Sequence, residues 1–247
     1  IMAKGDLVIA ISEMIKKYVL DNYKVNKKRL YLNYRGVDSI NYNNKQTVSK
    51  LWSKDWFREY PKTKNKILVT LPARITRWKG QEDFISLILK LKDDFPDIHG
   101  LIVGDAQKGK KKFLKSLRAK VKLNNLTDNI TFTGHRGDIK EIMLISKIVF
   151  SLSNEPEAFG RVSLEALSLG IPVIAYSHGG VEEQLKKILP SGLVAKNSNQ
   201  LLYEKTKKFL IQPPIPKKNN YFLLKNMLEN TLNIYFIGIK LNNKDRY

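Results

Sequence analysis

Short apolar runs alternate with amphipathic stretches through the middle of the chain. The runs are rich in Ile, Leu, Val and Phe and are bounded by polar or turn-forming residues, as expected of strands that are buried on both faces. They occupy residues 67–73, 99–105, 129–134, 148–153 and 172–177. Between them, apolar positions at helical spacing predict helices over residues 81–95, 108–122, 138–146 and 161–170. This alternation predicts an α/β fold, a Rossmann-like parallel sheet with helices on both faces.

The two ends of the chain lack this regular alternation. At the start, the pattern predicts a strand, a helix, a second strand and then a polar linker, over residues 6–12, 13–23, 29–38 and 39–66. At the end, two helical patterns flank a proline-rich break and cover residues 200–212 and 221–236. The chain therefore divides into three predicted zones, residues 1–64, 65–195 and 196–247.

The composition limits the kinds of functional site that the chain can form. The 247 residues are 43% hydrophobic, which is enough for a packed core, and they include no cysteine, which excludes disulfides, thiolate nucleophiles and thiolate metal sites. No apolar run approaches the roughly 18 residues that span a bilayer. Neither an Asp-x-Asp motif nor a histidine cluster with metal-ligand spacing occurs, so no metal cofactor is expected.

Charge leaves three interpretations open. The net charge is +21, and residues 108–122 carry eight basic residues and no acidic one, with apolar positions at helical spacing. The outer face of that predicted helix could contact anionic lipid or nucleic-acid phosphates, or it could simply be solvated.

Candidate binding residues lie where predicted strands end. Ligands of open parallel sheets bind beyond the carboxyl ends of the strands, and Arg74 and Lys79 follow the first strand of the middle zone, where they would suit a diphosphate. Glu157 lies in the loop after residues 148–153, and Gly160 precedes the next helix, whose first amides could receive a phosphate. Glu165 lies one turn into that helix and could accept hydrogen bonds from a ribose diol, which leaves Glu157 for the other end of a nucleotide sugar. A solvated surface carboxylate is the simpler alternative for Glu165.

The three histidines give weaker evidence for a binding site than these charged residues do. His99 precedes a predicted strand and is expected to be either structural or exposed. His135 lies at a strand end and His178 precedes a Gly-Gly pair, so both are candidates for the site.

Several segments together resemble a known family. The segments are VIAISEMIKKYVLDNYKV, NYRGVD, LPARITRWKGQEDF, LIVGDAQ, ITFTGHRGDIKEIM, SNEPEAFGRVSLEALSLGIPVIA and SHGGVEEQL. In order and spacing, they resemble the family 4 retaining glycosyltransferases, the "glycosyl transferases group 1" domain. The resemblance runs from about residue 5 to residue 194 and implies one half of a GT-B fold, in which two Rossmann-like domains face across a cleft. The carboxyl-terminal half binds the nucleotide-diphosphate sugar. Residues 1–64 would then be a remnant of the amino-terminal domain with its linker, most of that domain being missing or encoded separately.

Residue roles follow from the same resemblance. It implies that Arg74 and Lys79 bind the diphosphate, that Glu157 contacts the donor sugar and that Glu165 binds the ribose. The remaining implied donor contacts are the loop amides of Phe159, Gly160 and Arg161, the backbone near His135 for the nucleobase, and the matching glycines Gly179 and Gly180.

The function expected from the resemblance is transfer of a sugar, with retention, from a nucleotide-diphosphate sugar to a glycan or glycolipid. It implies lipopolysaccharide or other cell-envelope polysaccharide synthesis. The expected location is the cytoplasm or the inner face of the membrane, where the protein would contact anionic lipid. Neither a metal nor a nucleic acid is expected to take part. Two alternatives stay open, a non-catalytic nucleotide-sugar-binding subunit that needs a partner domain and, less favoured, a basic nucleic-acid-binding protein.

Overall fold

The fold is built on one six-stranded parallel sheet. A computed structural model of the chain describes residues 3–107, 109 and 111–244. The strand order in the sheet is β5-β4-β3-β6-β7-β8, and a separate two-stranded parallel sheet pairs β1 with β2. The strands are β1 (Val8–Ala10), β2 (Leu30–Leu32), β3 (Ile67–Pro72), β4 (Ile98–Val103), β5 (Ile130–Gly134), β6 (Ile148–Ser151), β7 (Val173–Tyr176) and β8 (Leu193–Val194). The order reverses between β3 and β6, which places a topological switch point at the centre of the sheet.

Helices cover the large sheet and extend the small one. They are α1 (Glu13–Asn22), α2 (Lys50–Glu59), α3 (Gln81–Asp94), α4 (Lys111–Leu123), α5 (Ile139–Leu144), α6 (Arg161–Ser168), α7 (Gly179–Ile188), α8 (Asn199–Ile211) and α9 (Leu224–Lys244). Every residue of β4 and β7 is buried, which explains why these strands are continuous apolar runs. The predicted α/β fold with a Rossmann-like parallel sheet is confirmed.

Two predictions about the flanks need correction. The stretch predicted as a linker contains α2, because the Trp52, Trp56 and Tyr60 rings recur every fourth residue and stack along one helix face with centroids 5.3 and 4.5 Å apart. Trp56 is only 2% exposed and packs with buried residues of β3 and β4. The last helix also begins and ends later than predicted, at Leu224–Lys244. The predicted basic helix is α4, and Lys108 and Lys110 of that prediction lie outside the described residues.

Hydrogen bonds anchor the amino-terminal segment to later parts of the chain. Asn33, just after β2, donates to the carbonyl of Met227 and the hydroxyl of Thr231 on α9. At the start of α1, the hydroxyl of Ser12 donates to the carbonyl of Ala158 at 2.7 Å. The segment therefore packs both on the last helix and on the loop that precedes α6. The division into three zones stays a prediction.

Candidate functional site

Two adjoining cavities lie beyond the carboxyl ends of β3, β4, β5 and β6. The larger, of about 470 Å³, includes Arg74 and His135 in its lining, and the smaller, of about 190 Å³, includes Arg74, Lys79, Glu157 and Gly160. Arg74 borders both, and its side chain is exposed. Three of the residues predicted for the diphosphate and the sugar thus meet around one small cavity.

An ion pair joins two of these residues across the smaller cavity. The Lys79 ammonium lies 2.7 Å from Oε1 of Glu157, and it also lies 4.2 Å from the centre of the Trp78 ring. The pair is largely shielded from solvent, since the two side chains are 13% and 21% exposed. Such a pair is screened less by salt than a surface pair, so it fixes both side chains at the cavity.

Backbone contacts bring the two loops together. The amide of Asn154 donates to the carbonyl of Trp78 at 2.6 Å. Gly80, with φ 75°, begins α3 so close to Leu152 that a Cβ would lie 2.0 Å from its carbonyl oxygen. Only glycine fits there, and this close approach positions Lys79 opposite the Glu157 loop.

The predicted glycines of α7 hold that same loop. A Cβ on Gly179, which has φ 68°, would lie 2.7 Å from the carbonyl oxygen of Glu157, and one on Gly180 would lie 2.5 Å from Cα of Phe159. The amide of Gly180 donates to the carbonyl of Glu157 at 2.8 Å. Both glycines lie against the loop backbone, and their donor-binding role stays a prediction.

The side chain of Phe159 faces the core, and the backbone of Phe159 and Gly160 leads into α6. The Phe159 ring is buried at 6.5 and 5.8 Å from the rings of Tyr34 and Phe222, so this residue could offer a ligand only its main chain. Gly160 has φ 84° and precedes the first residue of α6. The carbonyls of both residues accept from the side-chain amide of Gln184, which fixes the entry into the helix.

Glu165 is buried rather than solvated. It is 8% exposed and pairs with Arg161 at 3.1 Å, one turn earlier on α6. Burial raises the pKa of Glu165, and the nearby Arg161 guanidinium partly opposes that shift. Neither Glu165 nor Arg161 lines either cavity, whereas Glu157 lines the smaller one, so the two glutamates occupy different surroundings.

His135 and Arg136 follow β5 but differ in availability. His135 is exposed at the rim of the larger cavity. Arg136 is committed to acidic partners, donating to both oxygens of Asp138 at 2.8 Å and to both oxygens of Glu59 at 3.0 Å. The bonds to Asp138 raise the pKa of Arg136, and Trp52 donates to the same carboxylate. Sequence reasoning missed this network, which joins α2 to the edge of the cavity, because Glu59 is 77 positions away from Arg136 in the chain.

Of the other two histidines, His99 is buried and His178 is half-buried. His99 is fully buried in β4, its Nε2 lies 2.8 Å from the Thr131 hydroxyl, and burial lowers its pKa to about 4. This confirms a structural role for His99. His178 donates from Nε2 to the carbonyl of Ser153 at 2.7 Å, beside the Glu157 loop.

Within the described part of the chain, no three His, Asp or Glu side chains are grouped so that they could hold a metal ion. Of the helices in residues 3–107, 109 and 111–244, none combines the length and the apolar character needed to cross a bilayer.

Comparison with known proteins decides the family. The family model described as glycosyl transferases group 1 matches residues 53–222, more than half of the chain. The chain belongs to the glycosyl transferases group 1 family. The match begins inside α2, which agrees with the packing of that helix on β3 and β4.

Relatives and solved structures agree with this assignment. An uncharacterized glycosyltransferase of Methanocaldococcus jannaschii is 29% identical over 74% of this chain and 44% of its own length. A crystal structure of a glycosyltransferase from Rickettsia africae superposes with a TM-score of 0.85 at 28% identity, over 97% of this chain and 65% of that one. An Anabaena protein solved with UDP and glucose shares the fold, with a TM-score of 0.75 at 23% identity over 97% of this chain and 63% of that one. The chain therefore spans less than half the length of the curated relative and about two thirds of the solved chains.

Proposed function

We propose that this member of the glycosyl transferases group 1 family forms the donor-binding half of a glycosyltransferase that moves a sugar from a nucleotide-diphosphate sugar to a glycan or glycolipid. One observation carries the proposal. Arg74, Lys79 and Glu157 converge with the start of α6 around one cavity at the switch point of a parallel sheet. Two cations suit a diphosphate and a carboxylate suits sugar hydroxyls, so both ends of the donor's reacting bond would have partners.

The chemistry follows from the leaving group. Breaking the bond between sugar and phosphate builds negative charge on the departing diphosphate. Arg74, Lys79 and the first amides of α6 would bind that charge more strongly in the transition state than in the ground state, which lowers the barrier. We propose on this basis that protein cations, rather than a divalent ion, bind the leaving group. In the whole enzyme, with the domain that supplies the acceptor site present, undiminished transfer in excess EDTA would support this step, and loss of transfer restored by Mg²⁺ would contradict it.

The carboxylates would have separate roles. Glu157 would bind hydroxyls of the donor sugar without forming a covalent intermediate, and transfer would proceed with retention. Glu165 would bind the ribose, and the main chain near His135 would contact the base in the larger cavity. In the whole enzyme, Glu157→Gln is expected to abolish transfer and leave nucleotide affinity intact, whereas an equal loss of nucleotide affinity would contradict this division.

A second domain would supply the acceptor site. One stripe of α9 lies against the amino-terminal segment through Met227 and Thr231, and an adjacent apolar stripe is exposed. The exposed stripe contains Leu228, Leu232, Tyr235, Phe236 and Ile239. We propose that this surface and the two-stranded sheet adjoin that domain in the whole enzyme, because two-stranded sheets are rarely stable by themselves. The proposed setting is cell-envelope polysaccharide synthesis at the inner face of the membrane.

Calorimetric titration with a panel of nucleotide diphosphates and their sugars tests the donor site. Selective binding is expected, and Arg74→Ala and Glu165→Ala are expected to abolish it. Arg77→Ala is the matched control, because Arg77 lies in the same loop but stacks on Phe113 at 5.3 Å, away from Lys79 and Glu157. Absence of binding by a folded chain, or equal losses in Arg74→Ala and Arg77→Ala, would contradict the proposal.

The outer face of α4 favours a peripheral contact with an anionic surface. Phe113, Leu117 and Val121 are buried, whereas most of the intervening basic residues are exposed. We propose anionic lipid as the partner, since the acceptor would be a membrane glycolipid. Binding to anionic vesicles that weakens with salt would support this, and tighter, saturable binding to DNA at physiological salt would instead favour a nucleic-acid-binding function.

A further inference from the structure

The two oxygens of the Glu157 carboxylate have different surroundings. Oε1 lies 2.7 Å from the Lys79 ammonium and also accepts a hydrogen bond from the hydroxyl of Ser153 at 2.5 Å. Within the described residues, no hydrogen bond reaches Oε2. Oε2 is therefore the oxygen left for hydroxyl groups of a bound sugar.

Ser153 is itself held rigidly. It is 4% exposed, immediately beyond β6, and its carbonyl accepts from Nε2 of His178 at 2.7 Å. His178 directly precedes α7, whose glycines hold the backbone of Glu157. The serine hydroxyl and the main chain of Glu157 are thus fixed by the same turn, so the hydrogen bond between them has little freedom to shift.

A bound donor would affect the two partners of Oε1, Lys79 and Ser153, differently. A diphosphate carries two or more negative charges and competes with Glu157 for the Lys79 ammonium, which lines the same cavity as Arg74. The Ser153 hydroxyl is neutral and buried, and it has no such competitor. It can keep Oε1 in place when the lysine turns to the phosphates.

We propose that Ser153 is a positioning residue that fixes the carboxylate of Glu157 so that Oε2 faces the donor sugar. This inference rests on the proposed function. It identifies the buried hydroxyl as a requirement for recognising the sugar, as distinct from the nucleotide.

Calorimetry on the full chain separates the two contributions. For each variant, the affinity for a nucleotide-diphosphate sugar is compared with that for the same nucleotide diphosphate. Ser153→Ala is expected to weaken binding of the nucleotide sugar about tenfold, the usual effect of losing a hydrogen bond to a charged group, and to leave the nucleotide diphosphate within about twofold. Ser177→Ala is the control, because that exposed hydroxyl bonds Glu182 at the end of the neighbouring strand. Ser153→Cys, which keeps the buried volume with a weaker donor, gives the same readout if the alanine variant does not fold.

Each outcome has one meaning. A sugar contribution that survives in both Ser153 variants, or an equal loss for nucleotide and nucleotide sugar, would overturn the positioning role while the proposed function stands. Failure of the unsubstituted chain to bind either ligand would overturn the proposed function and this inference with it.

Discussion

Glu183 caps a helix from a distant part of the chain, and we expect its neutralisation to loosen that helix. Its two carboxylate oxygens accept from the amides of Glu13 and Met14 at 2.9 Å each, across 170 and 169 positions of sequence respectively. These are amides of the first turn of α1, which have no partner inside the helix. In Glu183→Gln, one oxygen can still accept, but the second bond and the negative charge at the helix start are lost.

The size of the effect follows from those two losses. A hydrogen bond to a charged group contributes about 1.5–3 kcal/mol, and a charge at a helix terminus about 0.3–1 kcal/mol. Because the pair of bonds is partly exposed, we expect a cost of about 2 kcal/mol. That cost corresponds to about 30-fold faster amide exchange through local opening of α1, since about 1.4 kcal/mol is tenfold in an equilibrium.

Peptide-level hydrogen exchange over Glu13–Asn22 measures this opening directly. Glu182→Gln is the matched control, because it removes the same charge from the adjacent residue but affects only surface contacts. These are a pair with Lys186 at 2.8 Å, worth about 0.5 kcal/mol, and a hydrogen bond from the Ser177 hydroxyl at 3.1 Å. Exchange in α1 should therefore accelerate in Glu183→Gln and hardly change in Glu182→Gln. Equal acceleration in the two variants, or none in either, would refute the capping role.

Three further substitutions test the core and the site. Burial raises the pKa of Glu165, so the folded state retains a proton there that the unfolded state has released. The free energy of unfolding should therefore fall as the pH rises through the raised pKa of Glu165. Urea titrations at pH 7 should find Glu165→Gln more stable than the unsubstituted chain. The pKa of His99 is lowered from 6.5 to about 4, so on acidification the unfolded state binds a proton at this residue before the folded state does. The free energy of unfolding should therefore fall by up to about 3 kcal/mol as the pH decreases from 6.5 to about 4. His99→Gln should flatten that part of the curve, and an unchanged slope would contradict it. In Gly179→Ala a Cβ meets the Glu157 carbonyl at 2.7 Å with φ 68°, so melting should show a loss of about 1–2 kcal/mol, whereas Gly137→Ala adds a Cβ in open space and should change little.

Much of the fold could be predicted because the sheet is buried on both faces. Continuous apolar runs placed β3 to β7 to within a few residues of their bounds. The elements that escaped prediction lack that signal. The helix α7 begins with two glycines, which are poor helix formers, and β8 has only two residues. In α2, charged residues surround the aromatic ones, and only the tertiary contact with β3 and β4 shows which face is buried.

The candidate site divides in a similar way. Sequence reasoning placed Arg74, Lys79 and Glu157 at strand ends, and the topology of a parallel sheet brings such ends together. It could not show that Lys79 and Glu157 pair directly, or that Glu165 is buried. Those facts depend on how closely two loops approach, which is a property of tertiary packing and not of spacing in the chain.

The close approach between loops also determines how the candidate site responds to substitution of its residues. Gly80, Gly160 and Gly179 all have positive φ, and each lies within 2.8 Å, measured from an added Cβ, of an atom of a neighbouring loop or helix. These positions set the distance between the elements, and the side chains of Lys79 and Glu157 then project into the space that this distance leaves. A changed side chain would therefore alter which ligand the proposed donor site accepts, whereas a changed glycine would alter whether a cavity forms at all. The two kinds of substitution are distinguishable, because only the second should lower stability and ligand affinity together.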